Sequence, residues 1–354
     1  MKKNLLAMLL SVAMVSALVG CGSAAETTEP AATEEATEET AEEATDEAVA
    51  EPATEEAAAD GQTYTIGICQ LVQHPALDAA TQGFMDVLTE KLGDAVTFDN
   101  QNASGESANC TTIVNGFVSS DVDMILANAT APLQAAASAT STIPVLGTSV
   151  TDYATALQIT DWTGTVGGNV SGTSDLAPLD EQAKMLNEIF PDAKTVGLLY
   201  CSAEANSVYQ CETIEGYLKD YGYEVKWYSF TDSNDVTSVT QTAADECDVI
   251  YIPTDNTAAS NTEAIANVVL PAKVPVVAGE EGICQGCGAI TLSISYYDLG
   301  CATGEMAYKI LTGEADIATM PVEYAPNVTK KYNAANCEAL GITVPSDYEA
   351  VATE

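Results

Sequence analysis

Six short stretches concentrate the side chains that could hold a small molecule: residues 70–75 (QLVQHP), 128–134 (NATAPLQ), 148–153 (TSVTDY), 201–207 (CSAEANS), 254–260 (TDNTAAS) and 279–282 (GEEG). Their chemistry is hydrogen bonding and fixed negative charge. All eleven basic residues are Lys, so no guanidinium fork exists anywhere in the chain, and His74 is the only histidine. An anionic group would therefore rest on backbone N–H groups, hydroxyls and helix N-termini, or on Lys. Signs of catalysis are missing. GNVSG at 168–172 places its Ser one position away from a G-x-S-x-G elbow, and the glycines of 282–288 do not follow a strand and open a phosphate-binding helix. Cys284 and Cys287 have the spacing of half a zinc site or a redox pair, but no second C-x-x-C follows. The reading is a non-enzymatic chain without metal or cofactor. Its nine cysteines beyond Cys21 are an odd set, several of them inside apolar runs, and are expected to be mostly free thiols; a loop disulfide between Cys284 and Cys287 is the alternative.

The elements that must position these stretches occur twice. DMILANATAPLQAAAS starts at Asp123 and DVIYIPTDNTAASNTEA at Asp248. YTIGICQLVQHPALDAATQGFMDVL starts at Tyr64 and KTVGLLYCSAEANSVYQCETIEGYL at Lys194. IPVLGTSVTD from Ile143 answers VPVVAGEEGI from Val274. Each is a continuous apolar run, a polar turn and, in the longer pairs, a stretch with apolar positions spaced by three and four, the pattern of a buried parallel strand leading into a helix. The three pairs keep the same order at an offset of about 130 residues, as a duplicated α/β unit requires. Two doubly wound lobes follow, and such sheets bind ligands beyond the carboxyl ends of their strands, where the six polar stretches lie. Facing polar rims on two hinged lobes make a cleft that closes on its ligand.

The first sixty residues have another character. Lys2 and Lys3 precede an apolar run over 5–19, followed by Gly20 and Cys21. This is the layout of an export signal, too short for a comfortable membrane span. Leu18-Val19-Gly20-Cys21 also looks like a lipobox, which would make residues 1–20 a signal peptide and Cys21 the acylated N-terminus. Residues 26–60 then hold fourteen acidic side chains and no basic one, so residues 21–61 read as a lipid anchor and a disordered acidic tether. About forty flexible residues span roughly 35 Å. The whole chain carries a formal charge of −41, and the body beyond residue 60 has nine Lys against 38 acidic side chains. Nucleic acid and anionic membrane surfaces are poor partners for it.

The segments QLVQHPALDAATQGF, DNQNASGESANC, VGGNVSGTSDLAP, SAEANS, PTDNT, AGEEG and SYYDLGCATGEMA, in order over residues 64–340, resemble the substrate-binding lipoproteins of ABC transporters that carry tryptophan and other aromatic amino acids. The resemblance implies the type I periplasmic-binding fold, with an N-terminal lobe of 62–175 and 297–325, a C-terminal lobe of 176–296 and 326–354, and three crossings near 169–179, 292–296 and 321–328. It implies a lipid-anchored monomer outside the cell membrane that hands its ligand to a permease driven by an ATPase. A ligand-sensing lipoprotein, or a sugar or nucleoside carrier of the same fold, is the alternative. Within that frame a zwitterion needs donors for its carboxylate and acceptors for its ammonium. Thr130 and the N-terminus of the helix after Ala129 are expected to hold the carboxylate, with Ser202, Asn206 and Ser207 closing from the other lobe. Asp255 is the first choice for the ammonium, flanked by Thr254 and Asn256, followed by Glu280 and Asp152. Gln70, Gln134 and His74 are further polar candidates, and Tyr296 could stack on an aromatic ring.

Overall fold

The computed structural model describes residues 61–325 and 327–352. The expected signal peptide and all but the last residue of the expected tether lie outside the described residues. From Tyr64 the chain alternates strand and helix. The first lobe is built from β1 (Tyr64–Gln70), α1 (Pro75–Leu92), β2 (Val96–Asn102), α2 (Ser107–Ser119), β3 (Met124–Asn128), α3 (Thr130–Ala139), β4 (Val145–Val150), α4 (Tyr153–Leu157) and β5 (Val170–Ser174). The second contains α5 (Leu179–Ile189), β6 (Thr195–Cys201), α6 (Ala205–Asp220), β7 (Glu224–Phe230), α7 (Val236–Glu246) and β8 (Val249–Ile252). It continues through α8 (Asn256–Ala259), α9 (Thr262–Ala272), β9 (Val276–Ala278), α10 (Glu281–Gly286) and β10 (Ile290–Ser293). Then come α11 (Tyr296–Leu311), β11 (Glu323–Tyr324), β12 (Thr329–Tyr332), α12 (Ala334–Leu340) and β13 (Glu349–Ala350).

The duplication is visible in the strand order. One sheet runs β11-β5-β4-β3-β1-β2 and the other β13-β12-β10-β9-β8-β6-β7, so five strands of each lobe share the order 2-1-3-4-5. All pairings are parallel except β10 with β12. Apolar side chains cover both faces of each sheet, which is why β3 and β8 are buried at every position. The Asp that opens each repeat has a matching job. Asp123 accepts the Thr65 N–H at 2.7 Å, and Asp248 accepts those of Lys194 and Thr195 at 2.8 and 2.9 Å. In each lobe a carboxylate thus ties the start of the third strand to the start of the first.

The chain passes between the sheets three times: after β5 through residues 175–178, after β10 through 294–295, and between β11 and β12. The second passage delivers α11 back to the first lobe, where it lies along α1. Glycines allow that contact. A Cβ at Gly83 would collide with the carbonyl of Tyr297, and one at Gly300 with the carbonyl of Ala80, while at Gly304 it would sit 3.0 Å from the Phe84 carbonyl. The helices touch backbone to backbone, and Ala76, Ala80, Ile294, Tyr296 and Leu299 form a small apolar cluster at their upper end. Gly300→Ala should force the pair apart, at a cost of about 1–3 kcal/mol. Urea unfolding measures it, and an unchanged midpoint would show that the close contact contributes nothing.

Candidate functional site

The ends of the first-lobe strands leave buried polar atoms without partners. Four of the six such side-chain atoms among the described residues are His74 Nδ1, Asn128 Oδ1, Ser149 Oγ and Asp175 Oδ1. His74 and Asp175 follow β1 and β5, while Asn128 ends β3 and Ser149 lies at the end of β4; the last three belong to adjacent strands, since Asn128 pairs with Thr148 and Val150 with Ser174. Neighbouring strands are about 4.8 Å apart, so this row is of the size of a small metabolite. The backbone is unusual here too: Ala129 has φ 105° and Ser149 φ 54°, left-handed conformations at the ends of adjacent strands.

Each orphan is defined by what its other atom does. Asn128 gives its NH₂ to the Leu77 carbonyl at 2.8 Å and to Thr81 Oγ1 at 2.9 Å, which fixes its carbonyl oxygen as the free atom. Asp175 accepts the Tyr296 hydroxyl at 2.9 Å on one oxygen and has no partner on the other. Asn256 gives its NH₂ to Glu204 at 2.7 Å, so its Oδ1 faces the His74 ring, and His74 Nε2–H donates to it at 3.2 Å across the two lobes. Nδ1 is then a bare acceptor. Three of the four orphans can only accept, given that Asp175 is ionised. A buried acceptor without a donor costs about 1–3 kcal/mol, more for a charge, so this row is built to receive N–H or O–H groups.

Outside this row a cavity of about 350 Å³ opens between the lobes. Ser107, Thr130 and Gln134 line it from the first lobe, and Glu204, Asn206 and Asn256 from the second. The first turns of α2, α3 and α6 border it, and none of these helices has a side-chain cap on its first N–H groups. Free helix N-termini carry partial positive charge and suit an anion.

The sequence profile of the ABC transporter substrate binding protein family matches residues 65–354. The chain belongs to this family. A tyrosine-binding protein of Clostridioides difficile (strain R20291) is 36% identical over 260 residues, covering 73% of this chain and 75% of the relative. Among solved structures, an ABC domain from Streptococcus pneumonia in complex with L-Trp is 31% identical and superposes with a TM-score of 0.77, over 80% of this chain and 97% of that one. A ligand-free, open substrate-binding protein from Clostridium difficile is 36% identical but superposes at only 0.64, over 82% and 100%. The more identical relative fits less well, so the lobes here are arranged more like those of the L-Trp complex, as the His74–Asn256 contact across the cleft requires. The fold is the type I periplasmic-binding fold, and the proteins of this family bind solutes rather than transform them.

For a substrate-binding protein, several of the residues singled out from the sequence turn out to be scaffolding. Asp255, the first choice for the ammonium, is 1% exposed and accepts the N–H groups of Cys201 and Ala258, both at 2.7 Å. Both of its oxygens serve the fold: it caps α8 and clips that helix to β6. Glu280 caps α10 through Gly282 and Ile283. Asp152 caps α4 through Thr155, and Gln70 spends its amide on Val72, Asp78 and Thr81. Ser202 Oγ turns back to the Phe230 carbonyl, Ser207 is wholly buried, and Thr254 binds Gln210 and Asn206 through its backbone. Tyr296 meets Asp175 through its hydroxyl and packs against α1. Thr130, Gln134, Asn206 and Asn256 do face the cavity, Gln134 while also donating to the Ala156 carbonyl. Asp175 and Glu204 escaped notice. Glu204 binds the backbone N–H groups of Asn256 and Thr257 at 3.0 and 2.8 Å. Cys284 and Cys287 are free, buried thiols within and at the end of the short helix α10, where a loop was expected, and all nine described cysteines are unpaired.

Burial raises the Asp175 carboxyl above its usual range, with the Tyr296 hydroxyl working against it. Burial, then repulsion from Glu204, pushes Asp255 up to about 8, and burial pushes Glu280 to about 7. Burial lowers His74, which is neutral at physiological pH. The raised acids have a consequence. Between the unfolded values near 4 and the folded values, the native state binds more protons than the unfolded chain, so stability is fully present below about pH 4 and is lost as pH rises through about 7 and 8. The melting temperature should be higher at pH 5 than at pH 8.5. Glu280→Gln should flatten that profile, and a variant profile parallel to the parent's would remove Glu280 as a source of it.

Proposed function

We propose that the chain is the extracytoplasmic receptor of an ABC importer, that it captures an aromatic amino acid between its lobes, and that it passes the ligand to a membrane permease coupled to an ATPase. The observation that carries this reading is the row of buried, partnerless acceptors ending in Asp175. An α-ammonium supplies three N–H donors and a positive charge, which a carboxylate oxygen without any cation beside it calls for. The ammonium is assigned to Asp175, and the carboxylate to the neighbouring first turn of α3 at Thr130, where the adjacent turns of α2 and α6 help hold it in place of a guanidinium. A tyrosine-binding relative and an L-Trp complex at 36% and 31% identity support an aromatic side chain. Acylation at Cys21 and a spacer ending near residue 61 would keep the body outside the membrane within reach of its permease.

Thermal melting of residues 61–354, refolded from denaturant to shed any bound ligand, tests this against the twenty amino acids, several nucleosides and simple sugars. At a hundredfold excess over Kd a ligand adds about 2.7 kcal/mol, enough to raise Tm by several degrees. Tyrosine, tryptophan or phenylalanine should shift the melt; a shift by sugars or nucleosides alone would sink the assignment. Asp175→Asn keeps the shape but removes the charge, and should weaken amino-acid binding about a hundredfold, as expected for a buried charged contact of about 3 kcal/mol. Wild-type affinity in that variant would move the ammonium elsewhere.

A further inference from the structure

We infer that His74 is a specificity residue: its bare Nδ1 accepts a hydrogen bond from the side-chain ring of the ligand, so that rings bearing an O–H or N–H are bound in preference to a plain phenyl ring. The inference rests on the amino-acid reading above and adds to it the direction in which the ligand lies.

Three observations carry it. First, the tautomer is settled by the network rather than by choice. Glu204 takes the Asn256 NH₂ at 2.7 Å, the Asn256 carbonyl therefore faces the ring, and the ring proton sits on Nε2. Second, Nδ1 is left as a buried acceptor without a partner, on a side chain only 7% exposed. A donor is required there, and a neutral imidazole lone pair suits a neutral donor. Third, the position is right for the far end of the ligand. His74 follows β1, and Asp175 follows β5, three strand spacings along the sheet order β5-β4-β3-β1, or about 14 Å between the strands. Tyr296 links the two ends: it bonds Asp175 and packs against Ala76, two residues beyond His74. An amino acid whose ammonium sits at Asp175 would extend along this row and present a phenol O–H or indole N–H to His74. Tyrosine and tryptophan have such a donor and phenylalanine does not. Because Nε2 of the same ring reaches Asn256 in the opposite lobe, one imidazole touches the ligand and holds the cleft shut.

Calorimetric titration of tyrosine, tryptophan and phenylalanine into the refolded protein and into His74→Leu tests the inference. The parent should bind tyrosine or tryptophan about ten- to a hundredfold tighter than phenylalanine, the ratio for one buried hydrogen bond. In His74→Leu that ratio should fall to within about threefold of unity by the same reasoning. Loss of the Asn256 contact weakens all three ligands alike and leaves the ratio unmoved, so the ratio isolates the ligand contact from closure. A parent that binds them equally, or a variant that keeps the ratio, overturns the role of His74 while the amino-acid reading stands; a parent that binds none of them overturns both. The protein has a single histidine, so its ring nitrogens give two ¹⁵N resonances in the unaltered chain. Nδ1 should be unprotonated and should shift on adding tyrosine but not phenylalanine. A protonated Nδ1, or equal shifts with both ligands, would also overturn the assignment, even if the variant failed to fold.

Discussion

Burying a carboxylate without a cation is costly, and a carboxylate with one oxygen unpartnered is costlier still. Asp175 is such a group, on the segment by which the chain first leaves the N-terminal lobe. The Tyr296 and Thr151 side chains offset part of that cost, but no cation does, since the Lys ion pairs among the described residues lie at the surface, such as Lys91–Glu305 and Lys330–Asp347. The protein therefore keeps part of its folding free energy unrealised until a donor enters the cleft. On the proposed reading this makes closure depend on ligand: an empty closed cleft would retain bare acceptors, while an open one would hydrate them. A ligand can shift a conformational equilibrium only through such a difference between empty and filled states.

The lack of arginine shapes the rest in the same way. Charges inside this body are held by backbone N–H groups. Asp255, Glu280 and Asp152 cap helices at the cleft rim, Asp123 and Asp248 tie strand starts, and Glu204 binds the start of α8. Apart from Asp175, these buried or half-buried carboxylates sit at helix or strand termini, where unsatisfied N–H groups are available.

The fold was legible because its signal is repeated. Two copies of strand, turn and helix at one offset specify two doubly wound sheets, and the strand order came out the same in both lobes. The location of the cleft was legible for the same reason. The division of labour among its acids was not. A Thr-Asp-Asn turn after a strand looks the same whether its Asp faces solvent, ligand or the first turn of its own helix, and Asp255 faces the helix. Asp175 looks unremarkable in SGTSDLAP because its importance comes from what is absent around it, and an absence of partners cannot be read along a chain. His74 stood out as the lone histidine, yet its tautomer depends on Glu204, 130 residues away in sequence and in the other lobe.

The glycine contact between α1 and α11 has a mechanical consequence. Through Gly83, Gly300 and Gly304 the two helices move as one stiff body, and that body carries His74 just ahead of one helix and Tyr296 at the head of the other. Asp175 and Tyr296 stand on two of the three crossings, close to the axis about which the lobes turn, whereas Glu204 and Gln134 stand on the lip, with the longest lever arm. If the lobes turn about these crossings, the lip sweeps through a wide arc while the Asp175–Tyr296 pair hardly travels. The proposed recognition end of the cleft would then stay assembled while only the gate swings.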